Sequence, residues 1–167
     1  MNQLLDYLGK LTANYINEKG YQAYHIPSTV STRDQVLLNL STPLPHKTVA
    51  TRAGIGWIGK SALLITGKYG SAIRLTTVLT NMEFLVGIPV NISYCGECNE
   101  CVLACPAQAI SGENWYRGIE REKIYNAFKC RESIRQIISK VKITDIICGR
   151  CIVACPWTKK YINLYTN

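Results

Sequence analysis

Apolar side chains recur every three or four residues near the N-terminus, as they do on one face of an α-helix. The members of this stripe are Leu4, Leu5, Leu8, Leu11, Tyr15 and Ile16. Their spacing predicts an amphipathic helix over residues 2–18. Gly20 is expected to end the helix, because glycine readily takes the left-handed conformation that follows many helices.

Between residues 21 and 80 the pattern changes to short apolar pieces. Residues 21–45 contain three prolines and are predicted as a strand followed by a helix or a loop. Residues 46–53 are predicted as a helix that stops at a glycine-rich turn. Two more strands are predicted at residues 63–66 and 71–79, joined by a turn that contains two glycines.

From Pro89 onward the chain is expected to form loops and short helices, with one longer helix around residues 133–140. The predicted fold class is therefore α+β. A small α/β segment is predicted for residues 1–90, and an α-helical, loop-rich, cysteine-containing module is predicted for residues 91–167.

Composition excludes several classes of protein. Of the 167 residues, 47% are apolar and 18% are charged, which is typical of a globular chain and not of a disordered one or a coiled coil. No apolar run approaches the roughly 20 residues that cross a bilayer, so no membrane contact is expected. The N-terminus shows no signal-peptide pattern, which predicts a cytoplasmic location and reduced thiols. Eight cysteines then indicate metal binding and not disulfides.

The first four cysteines form the pattern C-x2-C-x2-C-x3-C-P without a deviation. They are Cys95, Cys98, Cys101 and Cys105, followed by Pro106. Three thiolates at this spacing can surround one 4Fe–4S cluster, and the fourth cysteine reaches the other cluster in two-cluster ferredoxins. The pattern predicts a bacterial-ferredoxin-like module that holds two such clusters.

The other four cysteines repeat the end of that pattern. Cys148, Cys151 and Cys155 have the spacing C-x2-C-x3-C-P, and Cys130 lies upstream. Crossed ligation predicts two sets of four ligands, one for each cluster. The first quartet is Cys95, Cys98, Cys101 and Cys155, and the second quartet is Cys105, Cys130, Cys148 and Cys151. Zinc, disulfides and free thiols remain alternatives, although zinc sites favour paired C-x2–4-C units.

The formal charge of +8 is concentrated in the last third of the chain. Residues 117–167 contain eleven Lys or Arg and four Asp or Glu. This excess indicates either an anionic partner, such as a nucleic acid, or an ordinary solvated helix surface. Eight thiolates and two iron–sulfur cores would lower the net charge to about +4, so part of the excess would balance buried anionic clusters.

A glycine-rich turn, GIGWIGKS at residues 54–61, fits both the phosphate-loop and the dinucleotide-binding patterns. Both patterns need a strand before the glycines, where a helix is predicted, and no acidic residue ends the next strand, so nucleotide binding is not expected. Two interpretations stay open: the glycines allow close packing around Trp57, or the turn lines a cofactor or a substrate. The candidate cofactor-binding residues are Gly54, Gly56, Trp57, Gly59 and Lys60.

In combination, these motifs resemble the epoxyqueuosine reductase family, the cobalamin-dependent iron–sulfur enzymes of tRNA queuosine synthesis. The resemblance is carried by AGIGWIGK at 53–60, LLI at 63–65, YGS at 69–71 and the cysteine set that ends in CPW at 155–157. The cysteine module is also similar to that of reductive dehalogenases. The resemblance implies that two clusters deliver electrons to a cobalamin held by an α/β domain.

The family also carries the pattern D-x-x-P-x-x-E, in which the aspartate is its proposed proton donor. The matching residues here are Leu40, Pro43 and His46. Leucine has no proton to donate, and His46 stands in place of the glutamate. Because an imidazole titrates near neutral pH, His46 is a candidate acid, the alternative being an ordinary surface histidine.

Three functions remain open. The first is an electron-transfer protein or reductase subunit, which receives electrons from a ferredoxin, a flavodoxin or a reductase and passes them to a cofactor or partner. The second is a cobalamin-dependent reductase that acts on epoxyqueuosine in tRNA, with the basic last third facing the phosphates. The third is a non-redox nucleic-acid-binding module with structural clusters. The sequence leaves open whether the chain is an oxidoreductase itself, and it predicts no oligomeric state.

Overall fold

The computed structural model describes residues 2–29, 40–141 and 147–166. In chain order the elements are α1 (Asn2–Glu18), β1 (Ala23–Ile26), α2 (His46–Arg52), β2 (Trp57–Ile58), β3 (Leu64–Ile65), β4 (Thr77–Thr80), α3 (Glu100–Leu103), α4 (Arg121–Ile124), α5 (Ala127–Val141), α6 (Arg150–Ala154) and α7 (Pro156–Thr166). Helices together with small antiparallel sheets confirm the predicted α+β class.

The chain forms two compact units. The first unit comprises Met1–Ala53 and Arg74–Pro89, and the second comprises Gly54–Ile73 and Val90–Asn167. The glycine-rich turn thus belongs to the same unit as the cysteines. The predicted division of the chain at residue 90, into an α/β domain and a cluster domain, stays a prediction.

The first unit is a helix packed on a two-stranded sheet. Strand β1 pairs antiparallel with β4, so that Ala23 lies opposite Thr80 and Ile26 lies opposite Thr77. A small core contains Ala13, Ile16 and Ala23, with Val78 and Met82 packed against it. The helices predicted at residues 2–18 and 46–53 and the strand predicted after residue 21 are confirmed.

The apolar stripe of α1 coincides only in part with the face that the first unit buries. Leu4, Leu8, Leu11 and Tyr15 are exposed, and the buried residues of the helix are Gly9, Ala13 and Ile16. A Cβ at Gly9 would collide with the ring of His25. Because the helix approaches β1 so closely at Gly9, a small residue is needed there, and the exposed leucines lie outside the contact.

The second unit holds a short hairpin and the helices of the cysteine motifs. In the hairpin, Trp57 lies opposite Ile65 and Ile58 lies opposite Leu64. Trp57 and Ile65 form a buried cluster with Cys155, and Trp157 packs against it. The hairpin and the last cysteine therefore share one core.

The strand predicted at residues 71–79 is wrong over residues 71–76. Strand β4 begins at Thr77 and pairs with β1, whereas β3 pairs with β2. The backbone N–H of Ser71 donates to Thr158 Oγ1 at 3.0 Å, and the two side-chain hydroxyls share a further hydrogen bond of 3.1 Å. A distant helix thus takes the hydrogen bond that a neighbouring strand would have made.

The helix predicted around residues 133–140 is confirmed, and it starts earlier, at Ala127. Asn126 precedes it, and its side-chain Oδ1 accepts a hydrogen bond from the N–H of Lys129 at 2.9 Å. Asparagine is a favoured N-cap because it satisfies one of the free N–H groups of the first turn. In the ranges that the structure describes, no helix is both long and apolar enough to cross a membrane.

Candidate metal centre

The first quartet lies on the wall of one cavity of about 140 Å³. Two of its thiols lie in the loop before α3, the third lies in the first turn of α3, and the fourth follows α6. The other lining residues are Lys60, Ser61, Ile65, Pro156 and Trp157. Cys155 lies 54 residues after Cys101. The fold thus brings thiols that are distant in the sequence to one apolar-walled space.

Both cysteine motifs begin with the same turn. Gly96 follows Cys95 and has a φ of +52°, and Gly149 follows Cys148 and has a φ of +68°. This left-handed conformation favours glycine, because a Cβ would crowd the backbone there. The N–H of Cys98 then donates to the carbonyl of Cys95 at 3.0 Å, which curls the first loop around its thiols.

The thiols of the second quartet also lie near one another. Burial raises the pKa of the Cys151 thiol to about 11, and the other three thiols of that quartet add to the rise. The Tyr125 hydroxyl bonds to the thiol of Cys130, and burial followed by this bond raises the pKa of Tyr125. The N–H of Ala109 points at Cys105 Sγ from 3.4 Å.

The two quartets adjoin each other. Burial raises the pKa of the Cys101 thiol to about 11, and the thiols that add to the rise are the rest of the first quartet and Cys151. Thiols with a raised pKa keep their protons at neutral pH, so a metal that binds them must displace those protons. Loading of this centre is therefore expected to release protons.

The hairpin β2–β3 carries three of the cavity residues, Lys60, Ser61 and Ile65. Its turn is closed by a hydrogen bond from the N–H of Gly59 to the carbonyl of Leu63 at 2.9 Å. A Cβ at Gly59 would lie 3.4 Å from Cys95 Sγ and would collide with Ile65. Glycine at this position therefore lets the backbone approach the thiol, and the next two residues, Lys60 and Ser61, line the cavity.

Lys60 is buried, with 4% of its surface exposed. Its Nζ donates a hydrogen bond to Oδ1 of Asn99 at 3.0 Å. Asn99 lies between Cys98 and Cys101, so the lysine is attached to the loop that carries three of the thiols.

Trp57 belongs to the buried cluster that contains Ile65 and Cys155. Its ring meets Tyr94 edge-on at 5.1 Å and Trp157 at 5.2 Å between centroids. Its Nε1 is buried and has no hydrogen-bond partner among the described residues. Trp57 and Trp157 pack in the same core as Cys155, so aromatic rings lie beside this thiol.

The donor set suits iron–sulfur clusters. Soft thiolate ligands select iron–sulfur clusters, zinc or Cu(I). Across the described ranges, no three Cys, His, Asp or Glu side chains converge closely enough to hold a single metal ion. The first quartet instead surrounds a space with room for a larger group.

Comparison with known proteins agrees with this chemistry. Residues 94–158 match the family model of a 4Fe-4S double cluster binding domain. The epoxyqueuosine reductase of Listeria monocytogenes is 37% identical to this chain over 117 residues, which are 66% of this chain and 29% of that protein. The chain is thus similar to part of an epoxyqueuosine reductase.

Solved structures of epoxyqueuosine reductases share the fold of this chain. The epoxyqueuosine reductase of Streptococcus thermophilus is 26% identical, with a TM-score of 0.58 over 93% of this chain and 40% of that one. An epoxyqueuosine reductase in complex with an epoxyqueuosine-modified tRNA-Tyr stem loop is 24% identical, with a TM-score of 0.67 over 95% of this chain and 39% of that one. The chain thus spans well under half the length of these relatives.

The cofactors of this chain are two 4Fe–4S clusters, as predicted. The division of the eight cysteines into two quartets stays a prediction. The glycine-rich turn lies in the cysteine unit, where Lys60 lines the cavity and Gly59 approaches Cys95. Both interpretations of the turn, close packing around Trp57 and lining of a cofactor or substrate, stay predictions. As predicted, a helix, α2, and not a strand precedes the glycines.

His46 lies in the other unit of the chain. Its Nε2 is 2.9 Å from the carbonyl oxygen of Pro27, which can only accept, so this nitrogen carries the proton. Its Nδ1 is 2.7 Å from Oγ1 of Thr77. Both ring nitrogens are therefore engaged within the unit, and the role of His46 as an acid stays a prediction.

Sequence reasoning missed several residues of the site. Ser61 and Ile65 line the cavity, and Tyr125 bonds to a predicted ligand. None belongs to a metal-binding motif, because each reaches the cysteines only through the fold. Asn99 could have been noticed, since it is a polar residue inside the tight C-x2-C-x2-C loop.

Proposed function

We propose that this chain is an electron-transfer module that passes electrons, one at a time, to a cofactor or a partner protein. When bound, 4Fe–4S clusters accept and release single electrons over a wide range of potentials. The observation that carries the proposal is the proximity of the two thiol quartets in one unit. It is seen in the contribution of Cys151 to the raised pKa of the Cys101 thiol.

The proposed ligands follow the crossed assignment. The cavity lined by the first quartet supports it, because Cys155 and not Cys105 completes that wall. The thiols that raise the pKa of Cys151 support the second quartet in the same way. Apolar walls such as Ile65 and Trp157 limit the access of water and thereby help set the potential.

The polar groups near the thiols would tune the clusters. The N–H of Ala109 and the hydroxyl of Tyr125 both point at thiols of the second quartet. Hydrogen bonds to cluster sulfurs stabilise the more negative, reduced state. The chain's own residues thus bind the clusters, exclude water and set their potentials.

The test is an anaerobic electron-transfer measurement on the reconstituted protein. We expect about eight irons per chain, and rapid bleaching of the cluster absorbance when a reduced flavodoxin or ferredoxin is added. Reoxidation by a one-electron acceptor should then restore the absorbance. Eight irons without reduction by any low-potential donor would contradict the electron-transfer function.

A second candidate is a cobalamin-dependent reductase that acts on epoxyqueuosine in tRNA. It is favoured by the relative of the same fold that was crystallised with a modified tRNA stem loop, and by the cobalamin that the family resemblance implies. Titration with cob(II)alamin separates the two candidates. A change to a base-off spectrum would support the reductase, whereas no change at high concentration would exclude cobalamin binding by this chain alone.

Binding of a tRNA stem loop tests the remaining part of that candidate. The basic excess of residues 117–167 predicts binding that weakens steeply as salt rises, because phosphate contacts release counterions. Retention that survives moderate salt, equal for modified and unmodified stem loops, would instead favour the non-redox nucleic-acid-binding module.

A further inference from the structure

Lys60 is a buried cation without an anionic partner in the described part of the chain. The Nζ of Lys60 donates a hydrogen bond to the neutral amide of Asn99. Among the described residues, Lys60 takes part in no ion pair. Lysine is almost never fully buried unless it is paired, since moving a lone ammonium out of water is unfavourable. An anion is therefore expected beside it.

The cavity that Lys60 lines is where such an anion would lie. Four thiolates and a core of about +2 give a 4Fe–4S centre a net charge of about −2. The same wall contains Ile65, Pro156 and Trp157, which lower the local dielectric and strengthen the interaction between charges.

We propose that Lys60 is the counter-cation of the cluster held by the first quartet, and that it raises the reduction potential of that cluster alone. The inference rests on the proposed ligand assignment. Reduction adds one electron and makes the centre one unit more negative, so a fixed positive charge stabilises the reduced state more than the oxidised state. No proton is transferred in this step.

The attachment of Lys60 keeps its charge near the thiols. Asn99 holds the ammonium from inside the loop that carries Cys98 and Cys101. The backbone of Lys60 lies in the hairpin turn, which the hydrogen bond from the N–H of Gly59 to the carbonyl of Leu63 closes. Both ends of the lysine are therefore fixed with respect to the first quartet.

The test compares two lysines that lose the same charge. Lys60→Met removes the buried cation and keeps a chain of similar length, whereas Lys160→Met removes a cation from the exposed face of α7. Water and salt screen an exposed charge much more than a buried one. Lys60→Arg keeps the positive charge and serves as the conservative variant.

Each reconstituted protein is reduced stepwise with dithionite, the source of the electrons, and the two clusters are followed by electron paramagnetic resonance. We expect Lys60→Met to lower the ratio of reduced to oxidised first cluster at least tenfold at a fixed potential, a shift of 59 mV for one electron. In the Lys60→Met protein the same ratio for the second cluster should change less than threefold. In the Lys160→Met and Lys60→Arg proteins the ratio for the first cluster should also change less than threefold.

The outcomes separate this inference from the ligand assignment. Eight irons per Lys60→Met chain with both potentials unchanged would overturn the counter-cation role and leave the assignment intact. Equal shifts of both clusters would also overturn it. If Lys60→Met does not load iron, Lys60→Gln and Lys60→Arg decide: loading restored by arginine alone supports a required positive charge, and loading restored by neither, or by glutamine equally, contradicts it.

Discussion

The two cysteine quartets start from the same turn but are completed by different surroundings. Cys-Gly at 95–96 and Cys-Gly at 148–149 both place glycine at a positive φ. The first quartet then faces a cavity with a buried ammonium and apolar walls. The second quartet meets a tyrosine hydroxyl at Cys130 and a backbone N–H at Cys105.

This difference shows how a repeated motif can hold two unequal centres. A full charge in an apolar cavity acts more strongly than a neutral hydrogen bond, because only the former changes the net charge of the surroundings. In the proposed assignment the sequence repeat supplies the ligands, and residues outside the repeat would make the two potentials differ.

Paired cysteine substitutions break the comparison most severely. In the crossed assignment Cys95 and Cys155 serve the same cluster, whereas Cys95 and Cys105 serve different ones. The double variant Cys95→Ala/Cys155→Ala should keep one intact 4Fe–4S cluster, with about four irons. The double variant Cys95→Ala/Cys105→Ala should keep none intact. Mössbauer spectroscopy and iron analysis of the two proteins check this expectation.

The control for this prediction is internal, because each double variant removes two thiols. If Cys95→Ala/Cys105→Ala retained the intact cluster and Cys95→Ala/Cys155→Ala did not, ligation would be uncrossed. Each motif would then hold its own cluster, with Cys130 serving the second.

A glycine substitution tests how rigidly the first quartet is supported. Gly70 has a φ of +59°, and a Cβ there would collide with the backbone of Thr158, three residues after Cys155. We expect Gly70→Ala to lower the free energy of unfolding of the loaded protein by about 3 kcal/mol, from backbone strain and overpacking. Thermal unfolding followed by circular dichroism measures the change.

Gly67→Ala is the matched control for Gly70→Ala. Gly67 lies in the same turn, and a Cβ there would have nothing within 4 Å. Its effect should remain within about 0.5 kcal/mol. Equal destabilisation by the two substitutions would mean that the contact with Thr158 does not support the first quartet.

The smallest expected effect concerns the second quartet. Tyr125→Phe removes the hydroxyl that bonds to Cys130 and leaves the ring in place. Loss of one hydrogen bond should disfavour reduction of the second cluster by about 1 kcal/mol and leave the first cluster unchanged. Redox titration checks this, with the exposed Tyr116→Phe as the control. A shift confined to the first cluster would place Tyr125 beside the wrong quartet.

Features that depend on neighbouring residues could be predicted from the sequence. The helix at residues 2–18 and the cysteine spacing are local patterns, and the cofactors followed from that spacing. The buried face of α1 could not be predicted from periodicity, because the fit of Gly9 to the His25 ring decides it. An amphipathic pattern identifies a helix more reliably than it identifies the side that is covered.

Contacts between residues that are distant in the sequence could not be predicted either. Ser71 bonds to Thr158, 87 residues away, so its segment does not form the predicted strand. The Nζ of Lys60 bonds to Oδ1 of Asn99, 39 residues further along the chain. This contact joins the glycine-rich turn to the segment between Cys98 and Cys101. The glycine-rich turn fits the phosphate-loop pattern, but its sequence does not show which groups the fold places beside it.

The position of Cys155 determines when the first cavity can be completed during synthesis. Cys155 lies 60 residues after Cys95. A ribosome adding about 5–20 residues per second needs roughly 3–12 seconds for that stretch. Until then the three earlier thiols lack the wall that Cys155, Pro156 and Trp157 provide, and they are open to oxidation and to stray metal ions. Cluster delivery in the cell is therefore expected to follow translation of both motifs.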